Sequence, residues 1–207
     1  MSGQNIKKRK IGIMGGTFDP VHYGHLMIAE NARTQFGLEE VWFIPTGPSP
    51  HKEDAQITDG EHRCAMLRLG LEGNDGFVLS TREVESKEVC YTYKTLQILQ
   101  QQEPETDWHF IMGADSLFQI ESWKNPEVIF ACATLLVAVR DDMMQPQLEQ
   151  KIAELKEQFH CTIYPMHTPS FSVSSHDIRH RVAKGESIRY QLPETVRQYI
   201  AVHGLYQ

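Results

Sequence analysis

Residues 11–25 read Ile-Gly-Ile-Met-Gly-Gly-Thr-Phe-Asp-Pro-Val-His-Tyr-Gly-His. Ile11, Ile13 and Met14 are a short apolar run of the buried-strand kind. Gly15-Gly16-Thr17 is expected to turn, with backbone free to approach a ligand closely. His22-Tyr23-Gly24-His25 then leads into an apolar helix expected to start near Leu26. Strand, glycine turn and helix start make a corner suited to phosphate, because N–H groups and the helix dipole point at the ligand. His22 and His25, three residues apart, add side-chain donors. As a pair they read as anion donors, as metal ligands or as incidental polar residues. Zinc would want a third ligand, for which Asp19 is the candidate. Pro20 and the glycine turn favour phosphate, and no metal centre is expected. Neither G-x-G-x-x-G nor G-x-x-x-x-G-K-[ST] is matched.

Around this corner the chain alternates. Apolar helical spacing covers 26–36, with Gly37 as a C-cap, and 59–71, with Asp59 as an N-cap and Cys64, Leu67 and Leu71 on one side. Further helices are expected from Tyr91 through Leu99, over 125–130, 146–159, 175–183 and 193–202. Short apolar strands stand at 41–45, 77–80, 109–113, 133–139 and 162–165. Strands alternating with helices predict an α/β fold: a doubly wound, Rossmann-like parallel sheet in a single domain over 10–207, with a small C-terminal helical part. Residues 1–9 read as a basic tail, ending Lys7-Lys8-Arg9. In such folds ligands sit beyond the carboxyl ends of the strands, which is where Gly15-Gly16 and Gly113-Ala114-Asp115 stand. Asp115 there could cap a helix or hold a ribose.

The 207 residues carry a formal net charge of −7, which speaks against a general nucleic-acid binder but not against a small anionic substrate. No membrane span or secretory leader is visible. Four cysteines, at 64, 90, 132 and 161, lie too far apart for a C-x-x-C pair. Buried, reduced thiols and a cytoplasmic setting are the expectation, and oligomeric state stays open, a homo-oligomer included.

Gly-Gly-Thr-Phe-Asp-Pro-Val-His-Tyr-Gly-His resembles the [T/H]-x-G-H signature of the nucleotidyltransferase superfamily, and Ser174-Ser175-His176-Asp177-Ile178-Arg179 resembles its I-S-S-T-x-I-R box. Four further stretches make the chain similar, from Lys10 onward, to bacterial nicotinate-nucleotide adenylyltransferases. These are Pro48-Ser49-Pro50-His51-Lys52, Val89-Cys90-Tyr91-Thr92 before Thr95-Leu96, Phe110 to Ser116 with Trp123, and Leu192-Pro193 to Tyr206. The resemblance implies that the phosphate of nicotinate mononucleotide attacks the α-phosphorus of ATP, with Mg²⁺ on the triphosphate, in NAD biosynthesis. It implies His22, His25 and Arg179 as the catalytic donors. Gly15, Gly16, Thr17, Phe18, Gly113, Asp115, Ser174 and Ile178 would join them around ATP. Thr17, Phe18, Lys52, Tyr91, Thr92, Trp123 and Arg140 would hold the mononucleotide, with Trp123 stacking on the pyridine and the backbone near Thr92 reading its carboxylate. The polar neighbours of Trp123 suggest an exposed ring on a loop. Arg140 reads equally as a solvated strand-end charge. Three positions depart from the pattern: His176 stands for Thr, Cys90 for Ser, and Asp141-Asp142 for a small turn pair. Rival readings are the same chemistry on nicotinamide mononucleotide, on phosphopantetheine or as cytidylyl transfer, and a non-catalytic nucleotide-sensing module.

Overall fold

The apolar run at Ile11 lies mid-sheet. The computed structural model describes residues 8–47, 57–140, 146–169 and 172–207. Strand β1 (Arg9–Gly16) leads to helix α1 (Tyr23–Phe36), then β2 (Glu40–Pro45), α2 (Gly60–Leu71) and β3 (Phe77–Leu79). Next come α3 (Thr92–Gln102), β4 (Thr106–Gly113), α4 (Ala114–Gln119) with a 3-10 turn at Ile120–Ser122, and α5 (Pro126–Cys132). The rest is β5 (Thr134–Arg140), α6 (Pro146–Phe159), β6 (Ile163–Thr168), α7 (Ser175–Ala183) and α8 (Glu194–Val202). The strands form one parallel six-stranded sheet in the order β3-β2-β1-β4-β5-β6. Chain direction across the sheet reverses between β1 and β4, so a crevice opens at their carboxyl ends.

Side-chain alternation divides the core between the two faces. Ile11, Ile13, Phe110, Met112, Leu135 and Val137 pack on one side with Leu96, Ile129 and Leu155. Val41, Phe43, Ile111, Leu136 and Ala138 pack on the other with Ala29, Ala32, Leu67 and Val196. A strand buried on both faces is apolar at every position, which is why 135–139 reads as one unbroken hydrophobic run. No helix among the described residues is long and apolar enough to cross a membrane.

Most expected elements are present within a residue or two, and Asp59 and Gly37 cap as anticipated: Asp59 accepts from the Glu61 N–H at 2.8 Å, and Gly37 sits at φ 64°. Three readings need correction. Gly15 and Gly16 are not a turn but the last residues of β1, paired with Ile44 and Pro45. Helix α1 starts at Tyr23 rather than Leu26, so His25 lies in its first turn. Arg9 belongs to β1, where it pairs with Glu39 and Glu40, so the basic tail ends earlier than expected.

Why β1 ends in glycine is plain from the packing. A Cβ on Gly16 would stand 3.1 Å from the Phe18 ring, which folds back over it. Gly16→Ala is therefore expected to destabilise the protein by about 1–3 kcal/mol, the usual cost of overpacking, read as a lower urea midpoint.

Candidate active site

The turn after β1 cannot hydrogen-bond as sheet or as helix, so its shape comes from side chains. Phe18 takes φ 50°, a left-handed conformation unfavourable for an L residue by about 1–3 kcal/mol. Burial of its ring offsets that strain: the ring is 2% exposed, 5.7 Å from Phe43 and edge-on to His25 at 5.0 Å. The Thr46 N–H donates to the Gly16 carbonyl at 2.8 Å, tying the ends of β1 and β2 together.

His22 is the N-cap of α1, in extended backbone at φ −146° and ψ 169°. Its N–H donates to Nδ1 of His25 at 3.4 Å, and the two imidazoles stack at 3.7 Å. Burial, and then the neighbouring His22, hold the His25 imidazole well below the ordinary histidine range. It is accordingly neutral near pH 7. With Nδ1 accepting, the proton sits on Nε2, which becomes the ring's donor.

Asp19 is the loop's anchor. The Tyr206 hydroxyl donates to its carboxylate at 2.5 Å and the Thr58 N–H at 3.1 Å. The Arg179 guanidinium donates to the Asp19 carbonyl at 2.7 Å, and the Ser175 hydroxyl to the Pro20 carbonyl at 2.8 Å. Burial and the Asp19 carboxylate push the Tyr206 phenol above its ordinary pKa. Helix α7 thus docks on the turn, its own start capped by Ser174, which accepts from the Asp177 N–H at 3.1 Å.

Two cavities flank this turn. The larger, about 700 Å³, opens at the ends of β1 and β2 and includes Gly15, Gly16, Thr17, Tyr91, Thr92 and Trp123 in its walls. Its size falls among ligand sites. The smaller, about 290 Å³, is walled by His22, Gly24, His25, Thr168, Ser174 and Ser175. Trp123 is half-buried rather than an exposed loop ring, because it packs at 6.3 Å against Phe110, nearly perpendicular. Asp115 does not cap α4. Gly113 holds that position, while Asp115 stands exposed in the first turn, where its charge suits the helix dipole. Gly113 and Asp115 line neither cavity. Ile178 is fully buried against the core, so only its backbone could reach a ligand. Arg179 lines neither cavity and is engaged with Asp19. Lys52 and Asp141-Asp142 lie outside the described residues. Arg140 ends β5 beside Thr168, its side chain outside the description.

The matching family model is the cytidylyltransferase-like one, over residues 13–181. A protein of Lachnoclostridium phytofermentans named "Probable nicotinate-nucleotide adenylyltransferase" is 43% identical across 96% of this chain and 99% of its own. A Moorella thermoacetica protein of the same name is 38% identical across 96% and 92%. The chain belongs to the nicotinate-nucleotide adenylyltransferase family. A structure of Plasmodium falciparum nicotinic acid mononucleotide adenylyltransferase complexed with NaAD superposes with TM-score 0.78 at 22% identity, covering 96% of this chain and 97% of that one, a likeness of fold.

Around this family's signature loop stand residues that the sequence reading passed over. Lys124 sets its ammonium 4.5 Å from the centre of the Tyr91 ring, bringing a cation to the larger cavity. Glu83 lines the same cavity, accepting from the Thr95 hydroxyl at 2.6 Å, and burial raises its carboxyl pKa. Arg63 is buried under the loop. A signal for it existed, since 63, 67 and 71 share one helical stripe with Leu67 and Leu71. The thiols are all free. Cys64 is buried as expected, whereas Cys132 is half-buried.

The His25 environment has a consequence for stability. An imidazole held below the unfolded value of 6.5 adds stability that is complete above that pH. As pH falls through it, the unfolded chain takes up a proton that the native ring refuses, and the contribution is lost. Thermal denaturation should show the protein losing Tm from about pH 7 to pH 5, with His25→Gln losing less over the same interval. Tyr206→Phe should lower stability by about 1–3 kcal/mol, by leaving the buried Asp19 carboxylate without its hydroxyl donor, measured by denaturant titration.

Proposed function

We propose that this enzyme transfers the adenylyl group of ATP to nicotinate mononucleotide, giving nicotinate adenine dinucleotide and pyrophosphate. The observation that carries the reading is the pair of cavities on either side of one turn. One is aromatic and cationic, the other lined by imidazoles and hydroxyls, so acceptor and triphosphate meet at the turn between them. A phosphate oxygen of the mononucleotide forms a bond to the α-phosphorus. The bond from that phosphorus to the bridging oxygen breaks, and its electron pair leaves with pyrophosphate. No protein nucleophile is needed, because positioning and charge stabilisation supply the catalysis.

In this reading His25 offers its Nε2 proton to the α- and β-phosphates, and His22 stands beside it. Gly15, Gly16, Thr17 and Phe18 supply backbone and hydroxyl contacts. Ser174 and Ile178, at the start of α7, face the leaving pyrophosphate through hydroxyl and backbone. Arg179 serves there by holding Asp19 and turning its remaining donors toward phosphate. Gly113 and Asp115 border the ribose. Trp123 stacks on the pyridine ring, and the N-terminus of α3 at Tyr91 and Thr92 receives the carboxylate, aided by Lys124. Lys52 and Arg140 complete the acceptor's phosphate contacts. Magnesium arrives as part of the substrate, Mg²⁺-ATP, held by phosphate oxygens and water. Four free thiols fit a reaction in the cytoplasm.

Purified protein with Mg²⁺-ATP should turn over nicotinate mononucleotide faster than nicotinamide mononucleotide, followed by pyrophosphate release. Equal or faster use of the nicotinamide form would overturn the acceptor assignment, and ATP binding without pyrophosphate release would point to a nucleotide sensor. His25→Ala should lower kcat by about a hundredfold or more, the scale of losing one transition-state donor, with the fold retained.

A further inference from the structure

Arg63 is an unusual residue for a protein interior. It sits in the first turn of α2, 5% exposed, on the apolar stripe of that helix. Among the described residues its guanidinium pairs with no carboxylate. Its donors go to backbone carbonyls from separate segments instead: Nη1 to Thr17 at 2.9 Å, Nη2 to Thr46 at 2.8 Å and Nε to Thr58 at 2.9 Å. A buried charge ordinarily needs an opposite charge nearby. Here the positive charge is left facing the turn that carries Gly16, Thr17 and Phe18.

We propose that Arg63 is a positioning residue for the nucleotide's polyphosphate, pinning the β1–α1 turn and lending that turn a buried positive charge. The contact to Thr17 sets the turn's orientation. In a trans peptide the carbonyl and the following N–H point in opposite directions. With the Thr17 carbonyl held on Arg63, the Phe18 N–H is turned away from it. The contacts to Thr46 and Thr58 bind both ends of the β2–α2 connection to the same guanidinium. Thr58 in turn donates its N–H to Asp19, so Arg63 and Asp19 hold the same residue through its carbonyl and its N–H. A guanidinium suits this place better than an ammonium, because its planar fork serves several acceptors at once without losing its charge. In a low-dielectric interior that charge acts over more distance than a surface lysine would.

The inference rests on the reading that polyphosphate binds at the β1–α1 turn, so its test uses a ligand that requires no turnover. Binding of inorganic tripolyphosphate should be measured by calorimetry for the wild type, R63K and R63Q, with thermal melts in parallel. R63K keeps the charge while losing the fork. R63Q keeps a hydrogen-bond donor but loses the charge. The dissociation constant is expected to rise on the order of tenfold or more in R63Q and about threefold in R63K. In turnover, R63Q should raise the KM for ATP more than the KM for the mononucleotide. Wild-type affinity in R63Q, equal losses in the two variants, or a wild type that does not bind tripolyphosphate would each overturn the proposal. Should R63Q fail to fold, wild-type affinity in R63K with its fork lost, or a loss of tenfold or more with its charge kept, would overturn it equally. Tripolyphosphate binding that depends on Arg63, in a protein that performs no adenylyl transfer, would sink the functional reading and leave this one standing.

Discussion

The turn between β1 and α1 has to be buried and polar at once, and much of the structure answers to that constraint. Its backbone spends its hydrogen-bonding groups on neither a sheet nor a helix. Buried peptide groups left without partners are costly. The partners come from far along the chain: Arg63 from α2, Ser175 and Arg179 from α7, and Tyr206 from beyond α8. The C-terminal helices are thus more than cover for the sheet. They close the last open side of the turn and bring the second signature against the first.

Charge is arranged on the same principle. The chain carries a formal −7, yet cationic and neutral donors gather at the crevice, with the buried Glu83 carboxyl beside them. Arg63 and Arg179 hold carbonyls of the turn, Lys124 lies over Tyr91, and His25 is kept neutral by burial. Local potential, not net charge, decides what a cleft accepts. A neutral His25 can donate to phosphate without its proton being withheld by a salt bridge.

The readings that held were those resting on long, regular signals. A strand covered on both faces must be apolar throughout, so β5 was legible from composition alone. Helix α6 was legible because Leu148, Ile152 and Leu155 repeat along one face. The errors fall where the signal is short or ambiguous. Glycines after a strand look like a turn, but Gly15 and Gly16 continue β1, the second because Phe18 needs the space over it. Helix α4 has 6 residues, too few to display a period. Trp123 was read from its polar neighbours, whereas Phe110, distant in sequence, governs its burial.

What the sequence by itself determined is the order of elements, the parallel α/β class, and the presence of two signature boxes with a histidine pair between strand and helix. Periodicity and composition report which face of each element is buried, and these are local properties. The tertiary structure alone decided the partners. Tyr206 reaches Asp19 across 187 positions, and Arg63 reaches Thr17 across 46. Nothing local to either residue names the other. A side chain on a buried stripe can meet any surface that closes over it, and the strand order selects which surface that is. The corner at 11–25 was visible in the chain, but what holds its shape was settled only when the sheet and its helices had closed around it.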